Sequence, residues 1–180
     1  MKKGVIIGTG LVLLMLGIIF DRQIAFSITN YRTPILTGFM HTVSFIGSAL
    51  GVIIITSVLF LYDRKKRSYI PVLLLTLISA IAISYILKYL VARPRPNILP
   101  LEIKNSFSFP STHAAAIFAP FLLIDNSFPK LKWLWLALAM LVIVSRVYLG
   151  VHYLSDVIAG ALLGYIMGIV ILRITNNPVW

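Results

Sequence analysis

The sequence predicts an all-α, polytopic membrane protein: a bundle of six transmembrane helices of the kind that buries a polar site between its spans. Hydrophobic residues make up 59% of the 180 residues, and charged residues make up only 12%. The apolar positions form long continuous runs, whereas a transmembrane barrel would need alternating ones. A bilayer-spanning helix needs about 20 mostly apolar residues. We therefore expect residues 1–180 to form a single integral membrane domain.

The predicted spans are six apolar runs, at about residues 4–20, 39–61, 70–90, 113–124, 132–149 and 154–172. The first run follows Met1-Lys2-Lys3 as a signal peptide would, but no convincing cleavage site precedes Asp21, so we expect an uncleaved span. The fourth run is short and contains Pro120. We expect it to begin within the preceding loop or to be broken inside the protein.

The connection at residues 91–112 is the longest, and it differs from the others in composition. It holds four of the nine prolines, namely Pro94, Pro96, Pro100 and Pro110. Each proline fixes its own dihedral angle and disfavours helix at the residue before it. The segment is therefore predicted to be a stiff, extended connection, and long ordered loops usually carry function.

The sixth predicted span carries Gly160, Gly164 and Gly168 at intervals of four residues. This spacing places the three glycines on one face of a helix, where another helix can approach closely. Packing within the bundle is favoured over a dimer seam, although such stripes serve both purposes.

The composition excludes several kinds of site. There are no cysteines, so disulfides, thiolate metal sites and cysteine nucleophiles are impossible. Sixteen basic residues against five acidic ones give a net charge of +11. In a membrane protein this excess indicates loop anchoring and an anionic ligand, and we expect no nucleic acid partner.

Three polar clusters lie within or beside the predicted spans, where ionisable groups are costly and indicate function. Residues 88–96 begin near the end of the third span and continue beyond it, residues 110–113 open the fourth, and residues 145–156 join the fifth to the sixth. Because successive spans alternate in direction, all three clusters fall at the same membrane face. Convergence of this kind predicts a functional site.

The residue types in these clusters suit a phosphoryl group. Lys88, Arg95 and Arg146 supply three positive charges, and two of these are guanidinium forks that match paired phosphate oxygens. Ser111 adds a hydroxyl, and the backbone amides around Thr112 at a predicted helix start suit an anion. We therefore expect these five residues to bind phosphate.

The histidines of the clusters suggest catalysis. His152 and Asp156 are four residues apart and share a helix face, so the carboxylate can accept the Nδ1 proton and leave Nε2 as a nucleophile. His113 is then available to protonate the leaving oxygen and afterwards to activate water. Three nearby cations would repel a divalent ion, so we expect neither a metal nor another cofactor.

The remaining ionisable groups have simpler interpretations. His41 is expected to be a hydrogen-bonded structural group. Long basic side chains near span ends usually reach toward the lipid headgroups, and this interpretation applies to Arg22, Arg32, Arg93, Lys104 and Arg173.

The three clusters resemble the signature of the type 2 phosphatidic acid phosphatase (PAP2) superfamily of membrane lipid phosphatases. Its parts, Lys-x6-Arg-Pro, Pro-Ser-x-His and Ser-Arg-x5-His-x3-Asp, match residues 88–96, 110–113 and 145–156 in order and spacing. The resemblance implies a phosphohistidine on His152, supported by Asp156, and no metal requirement. It also implies phosphate binding by Lys88, Arg95, Ser111 and Arg146, with His113 as the general acid. The vanadium-dependent haloperoxidases share this set of motif residues, but they are soluble proteins. The apolar composition of this chain therefore disfavours membership of that group.

One residue departs from the family pattern. The family often has glycine between the serine and histidine of the second motif, where this chain has Thr112. A β-branched residue there could restrict how closely the backbone approaches phosphate.

The sequence thus predicts a lipid phosphate phosphatase of a bacterial inner membrane that acts at the outer face. The resemblance offers undecaprenyl diphosphate, phosphatidylglycerophosphate and phosphatidic acid as substrates. Two alternatives stay open: a lipid phosphotransferase, and a non-catalytic headgroup transporter or scaffold. The oligomeric state is not predicted.

The orientation follows from the basic residues, because cytoplasmic loops carry more of them. One face holds nine: Lys2, Lys3, Arg64, Lys65, Lys66, Arg67, Lys130, Lys132 and Arg173. The other holds seven: Arg22, Arg32, Lys88, Arg93, Arg95, Lys104 and Arg146. Assigning three of the seven to phosphate binding leaves nine against four. We predict that a reporter fused after Trp180 is cytoplasmic, and an external reporter would reverse the orientation.

Overall fold

The computed structural model describes residues 3–176, and every regular element in that part of the chain is helical. The α-helices are α1 (Lys3–Ser27), α2 (Pro34–Ile46), α3 (Ala49–Tyr62), α4 (Ile70–Val91), α5 (Thr112–Phe118), α6 (Phe121–Ser127), α7 (Lys132–Tyr148) and α8 (Leu154–Ile174). Short 3₁₀ helices, Ile28–Tyr31 and Arg64–Tyr69, follow α1 and precede α4. The all-α class is confirmed.

Three helical stretches are long and apolar enough to cross a membrane: Lys3–Tyr31, Arg64–Val91 and Leu154–Ile174. Helices α2 and α3 make a fourth if they are counted as one span bent by 63°. Helix α7 has 17 residues, and α5 and α6 have 7 each. The count of six spans therefore stays a prediction.

The predicted break in the fourth apolar run is observed. Helix α5 ends at Phe118 and α6 begins at Phe121, with Pro120 at the N-cap position of α6. Proline lacks an amide hydrogen and its ring clashes with the preceding turn, so one continuous helix is disfavoured there. Residues 112–127 therefore form two short helices, and α5 presents its first turn to the polar end of the bundle.

The glycine stripe of α8 is the contact surface for α5. A Cβ atom at Gly160 would collide with the Ser111 carbonyl oxygen, and one at Gly164 would lie 2.9 Å from the Ala119 nitrogen. At Gly168 it would lie 2.9 Å from the Ala119 oxygen. The prediction that the stripe packs inside the bundle is confirmed. This close approach also holds Ser111 against the beginning of α8.

The proline-rich loop at residues 92–111 covers one end of the bundle. The guanidinium of Arg32 donates to the carbonyls of Tyr148, at 2.8 and 3.1 Å, and of Leu99, at 2.5 Å. The Leu101 amide donates to the Leu149 carbonyl at 2.9 Å. The expectation that Arg32 reaches toward headgroups is wrong, because its donors join the loop to the end of α7.

The opposite end of the bundle carries the described part of the N-terminus and the basic segment 64–67. Lys3 and Asp125 line one cavity of about 240 Å³. Nearby, Lys66 donates to the Ser127 carbonyl, and Lys132 pairs with Asp125 at 3.0 Å. Lys2 and Trp180, which the orientation prediction uses, lie outside the described residues. Which end faces the cytoplasm stays a prediction.

We predict that Gly164→Leu destabilises the protein, because the added side chain meets the α5 backbone. Overpacking of this kind typically costs about 1–3 kcal/mol. The measurement is thermal unfolding in detergent. Gly8→Leu in α1 is the matched control, because a Cβ at Gly8 meets nothing within 4 Å. Equal melting temperatures for the two variants would contradict the packing described here.

Candidate active site

The structure brings the three polar clusters together at the end of the bundle covered by the 92–111 loop. The Lys88 ammonium donates to the Pro110 carbonyl at 2.8 Å, which joins the first cluster to the second. The Ser111 amide donates to the Asp156 carbonyl at 2.9 Å, which joins the second to the third. Arg95 contacts the ring of His152. Residues far apart in sequence thus form one site.

The geometry around His152 indicates its tautomer. Nε2 lies 3.3 Å from a terminal nitrogen of Arg95. Because a guanidinium can only donate, Nε2 accepts and the ring proton is on Nδ1. Nδ1 faces Asp156 Oδ2 at 3.5 Å, longer than an ideal hydrogen bond but within ion-pair distance. Burial lowers the pKa of His152 below its usual value and Asp156 opposes this only in part, so the imidazole is neutral.

Asp156 is completely buried, and its carboxylate, which faces the imidazole, accepts hydrogen bonds from three other groups. The Tyr153 amide donates to Oδ2 at 2.8 Å, and the Ser108 hydroxyl donates to the same oxygen. Arg93 donates to Oδ1 at 2.7 Å. The interpretation of Arg93 as a headgroup anchor is wrong: a buried carboxylate needs a counter-charge, and Arg93 supplies it.

Arg95 and Lys88 have all their donors engaged by protein acceptors. The five N–H groups of Arg95 contact Ser106 (2.6 and 2.9 Å), Phe107 (3.2 Å), Val151 (2.6 Å) and the His152 ring. Lys88 donates to three carbonyls, those of Phe107, Ser108 and Pro110. Both cations therefore hold loop segment 106–110 beside the imidazole.

Two other predicted phosphate ligands have donors without partners. The Ser111 hydroxyl and the Arg146 Nε are buried, and neither makes a hydrogen bond within residues 3–176. Buried polar groups are nearly always hydrogen-bonded, so these unpaired groups mark a place where a ligand can bind. One terminal nitrogen of Arg146 donates to the Ser44 hydroxyl, and the other lies 3.7 Å from Glu102 Oε2.

Glu102 is an acidic residue of the site that the sequence reasoning missed. Its carboxylate lies 3.1 Å from His41 Nδ1 and 3.1 Å from the Lys104 ammonium, in addition to Arg146. Burial alone would raise the pKa of Glu102, but the positive charges of Arg146 and Lys104 outweigh it and lower the pKa. The prediction that His41 is hydrogen-bonded is confirmed, and Lys104 pairs with a carboxylate rather than with headgroups. That Glu102 is the one acidic residue of the proline-rich loop could have signalled a role.

His113 and Thr112 lie in the first turn of α5. His113 is half-buried and within electrostatic reach of Arg146 and His152, and no hydrogen bond to its ring is found within the described chain. The Thr112 hydroxyl is 2.8 Å from the Ser84 hydroxyl on α4. The extra bulk of threonine at this motif position is therefore accommodated against α4, and its influence on phosphate binding stays a prediction.

Comparisons with known proteins show which family the chain is similar to. The family model described as PAP2 superfamily matches residues 70–180. An undecaprenyl-diphosphatase from Sulfolobus acidocaldarius is 35% identical over 77% of this chain and 71% of that protein. Phosphatidylglycerophosphatase B from Bacillus subtilis is 32% identical over 82% of this chain and 79% of its own length.

Two solved structures share the fold over most of the chain. The crystal structure of a PAP2-type phosphatidylglycerolphosphate phosphatase from Bacillus subtilis superposes with a TM-score of 0.78, at 26% identity, over 99% of this chain and 98% of that one. LpxE from Aquifex aeolicus gives a TM-score of 0.73, at 28% identity, over 86% and 95% of the two chains. The apolar helices, the converged motifs and these matches lead to one conclusion: the chain belongs to the PAP2 superfamily of membrane phosphatases.

Proposed function

We propose that this protein hydrolyses phosphate from a lipid phosphate or lipid diphosphate through a phosphohistidine intermediate. One observation carries the proposal: the Nε2 of a neutral, buried histidine lies beside the Arg95 guanidinium, with the Asp156 carboxylate on the other side of the ring. This arrangement suits a nucleophile aimed at an anionic phosphoryl group. The proposed unit is the whole chain, residues 1–180, acting as one domain.

In the first step, Nε2 of His152 attacks phosphorus in line with the leaving oxygen. The N–P bond forms as the P–O bond breaks, and His113 gives its proton to the departing oxygen. The imidazole becomes positively charged, and the Asp156 carboxylate stabilises it through the Nδ1 proton. In the second step, His113 takes a proton from water, the oxygen attacks phosphorus, and phosphate leaves His152.

The cations supply the electrostatic part of catalysis. Phosphoryl transfer depends on positioning and on stabilising charge at the equatorial oxygens. The Ser111 hydroxyl and the Arg146 Nε, which have no partner within residues 3–176, are available to donate to a phosphate directly. Arg95 and Lys88 already donate to protein acceptors, so we propose that phosphate oxygens replace some of those acceptors when substrate binds. The exchange keeps the buried charges hydrogen-bonded throughout.

A lipid substrate suits the position of the site. The proline-rich loop beside the site exposes large apolar side chains, with Leu99 73% exposed and Ile103 88% exposed. Such side chains favour contact with a bilayer. We propose that the phosphate reaches the cations while the tail stays in the outer leaflet. The named relatives support undecaprenyl diphosphate and phosphatidylglycerophosphate as the first substrates to test. The outward orientation predicted from the loop charges favours the diphosphate.

Two other functions are distinguished by the same assay. A phosphotransferase would release free phosphate only when an acceptor lipid is present. A headgroup-binding scaffold would release none, and it would give the buried pair of His152 and Asp156 no role.

We predict that detergent-purified protein releases phosphate from undecaprenyl diphosphate, phosphatidylglycerophosphate or phosphatidic acid in the presence of a chelator. His152→Ala removes the nucleophile and should lower the rate by about 10⁴-fold or more. The measurement is phosphate release with folding checked by thermal unfolding. Restoration of activity only by added metal would contradict the mechanism.

The third histidine provides the matched control. His41 contacts Glu102 rather than the proposed reaction centre, so His41→Ala should keep far more activity than His152→Ala. Equal losses in the two variants would remove the special role proposed for His152.

We predict that the loss of rate caused by His113→Ala depends on the leaving group of the substrate. A lipid alkoxide needs a proton from the general acid more than a leaving phosphate does, because the alkoxide is the stronger base. In single-turnover measurements the phosphoryl-transfer rate should fall by about 10²-fold for phosphatidic acid and by much less for undecaprenyl diphosphate. Equal losses for both substrates would argue against His113 as the acid.

A further inference from the structure

Asp21 is an acidic residue within the apolar helix α1, and it is only 3% exposed. A charged side chain is costly at such a place unless it is paired and hydrogen-bonded. Oδ1 of Asp21 accepts from the Ser155 amide at 2.9 Å. Oδ2 accepts from the Ser155 hydroxyl at 2.5 Å and from Arg93 at 2.7 Å. These contacts satisfy both oxygens of the carboxylate.

Arg93 bridges this carboxylate to the proposed catalytic one. One terminal nitrogen of Arg93 contacts Asp21, while the other donates to Asp156 Oδ1 at 2.7 Å and to the Ser155 hydroxyl at 2.6 Å. The guanidinium also lies 4.3 Å from the centre of the Tyr153 ring. The two carboxylates together fix the position of the Arg93 guanidinium. The position of Arg93 beside Asp156 therefore depends on its contact with Asp21.

The close approach of α1 to α8 allows this connection. One turn before Asp21, a Cβ at Gly17 would lie 3.3 Å from the Ser155 backbone. Ser155 lies in the first turn of α8, where backbone amides have no partner within the helix. The Asp21 carboxylate, which belongs to α1, accepts a hydrogen bond from one of these amides, that of Ser155. Its negative charge is also favourable at the N-terminus of a helix. Two turns of two different helices are thus fixed by one side chain.

We propose that Asp21 is a positioning residue for the reaction, acting through Arg93 on Asp156 and so on the imidazole of His152. The inference rests on the proposed function, because it assigns Asp21 a part in the same reaction. With Arg93 held by Asp21, Oδ1 of Asp156 is engaged and Oδ2 faces His152 Nδ1. Neither Asp21 nor Arg93 contacts the proposed phosphate ligands, so the effect is on the chemical step.

The test is Asp21→Asn, which keeps the shape of the side chain and removes its charge. The amide can still accept from Ser155, but it no longer balances the charge of Arg93. We expect kcat to fall by about 10- to 100-fold, as a small misplacement of a catalytic group does, with KM close to that of the unmodified protein. A kcat unchanged in folded Asp21→Asn would overturn the inference, as would a change in KM alone.

A double-mutant cycle separates positioning from a purely structural role. If Asp21 acts through Asp156, adding Asp21→Asn to Asp156→Asn should cost little more, because interacting residues are not additive. Losses that multiply would overturn the inference. The matched control is Asp125→Asn, which breaks an ion pair with Lys132 at the opposite end of the bundle and should change kcat by less than about twofold.

A second variant and a measurement without substrate complete the test. Arg93→Lys should reproduce the loss of kcat, because lysine lacks the two separate terminal nitrogens with which Arg93 contacts the two carboxylates. This variant replaces Asp21→Asn if Asp21→Asn does not fold. In the NMR spectrum the Nδ1 proton of His152, assigned by its loss in His152→Ala, should shift in Asp21→Asn. If the unmodified protein releases no phosphate, the proposed function fails, while an unchanged proton resonance would overturn the role of Asp21 separately.

Discussion

The site depends on the pairing of one completely buried carboxylate, that of Asp156. A charge at this depth persists only with hydrogen bonds and a counter-charge. The structure supplies both: the Tyr153 amide and the Ser108 hydroxyl on one oxygen, and Arg93 on the other. Satisfying this carboxylate fixes the beginning of α8 and part of the proline-rich loop, and the His152 ring is placed beside them.

The loop at residues 92–111 is ordered by the same charges that serve the proposed chemistry. Lys88 and Arg95 each donate to several carbonyls of residues 106–110, so the cations act as the interior support of a segment that has no regular structure. Backbone groups buried without partners would be costly, and these cations remove that cost. The loop and the site therefore form together, which explains why a long connection holds one conformation.

Packing of small residues makes this convergence possible. The Gly160 and Gly164 positions let α5 touch α8 closely enough for the Ser111 amide to reach the Asp156 carbonyl. Gly17 does the same for α1, whose Asp21 reaches the first turn of α8. In a bundle where lipid removes much of the hydrophobic drive between helices, such close contacts supply much of the association. The hydrogen bonds of Ser111 with Asp156 and of Asp21 with Ser155 then fix how far α5 and α1 are shifted along α8.

The sequence by itself determined the helical class, most helix positions, the break near Pro120 and the motif residues that meet at one end. These features are local or periodic: apolar runs, proline positions and fixed spacings are visible in one dimension. Tertiary structure alone decided the pairing of Arg93 with Asp21 and Asp156, and of Glu102 with Arg146 and His41. The partners in these pairs lie up to 72 residues apart. A long basic side chain beside a span can reach lipid headgroups or a buried carboxylate, and only the positions of the helices determine which is nearer.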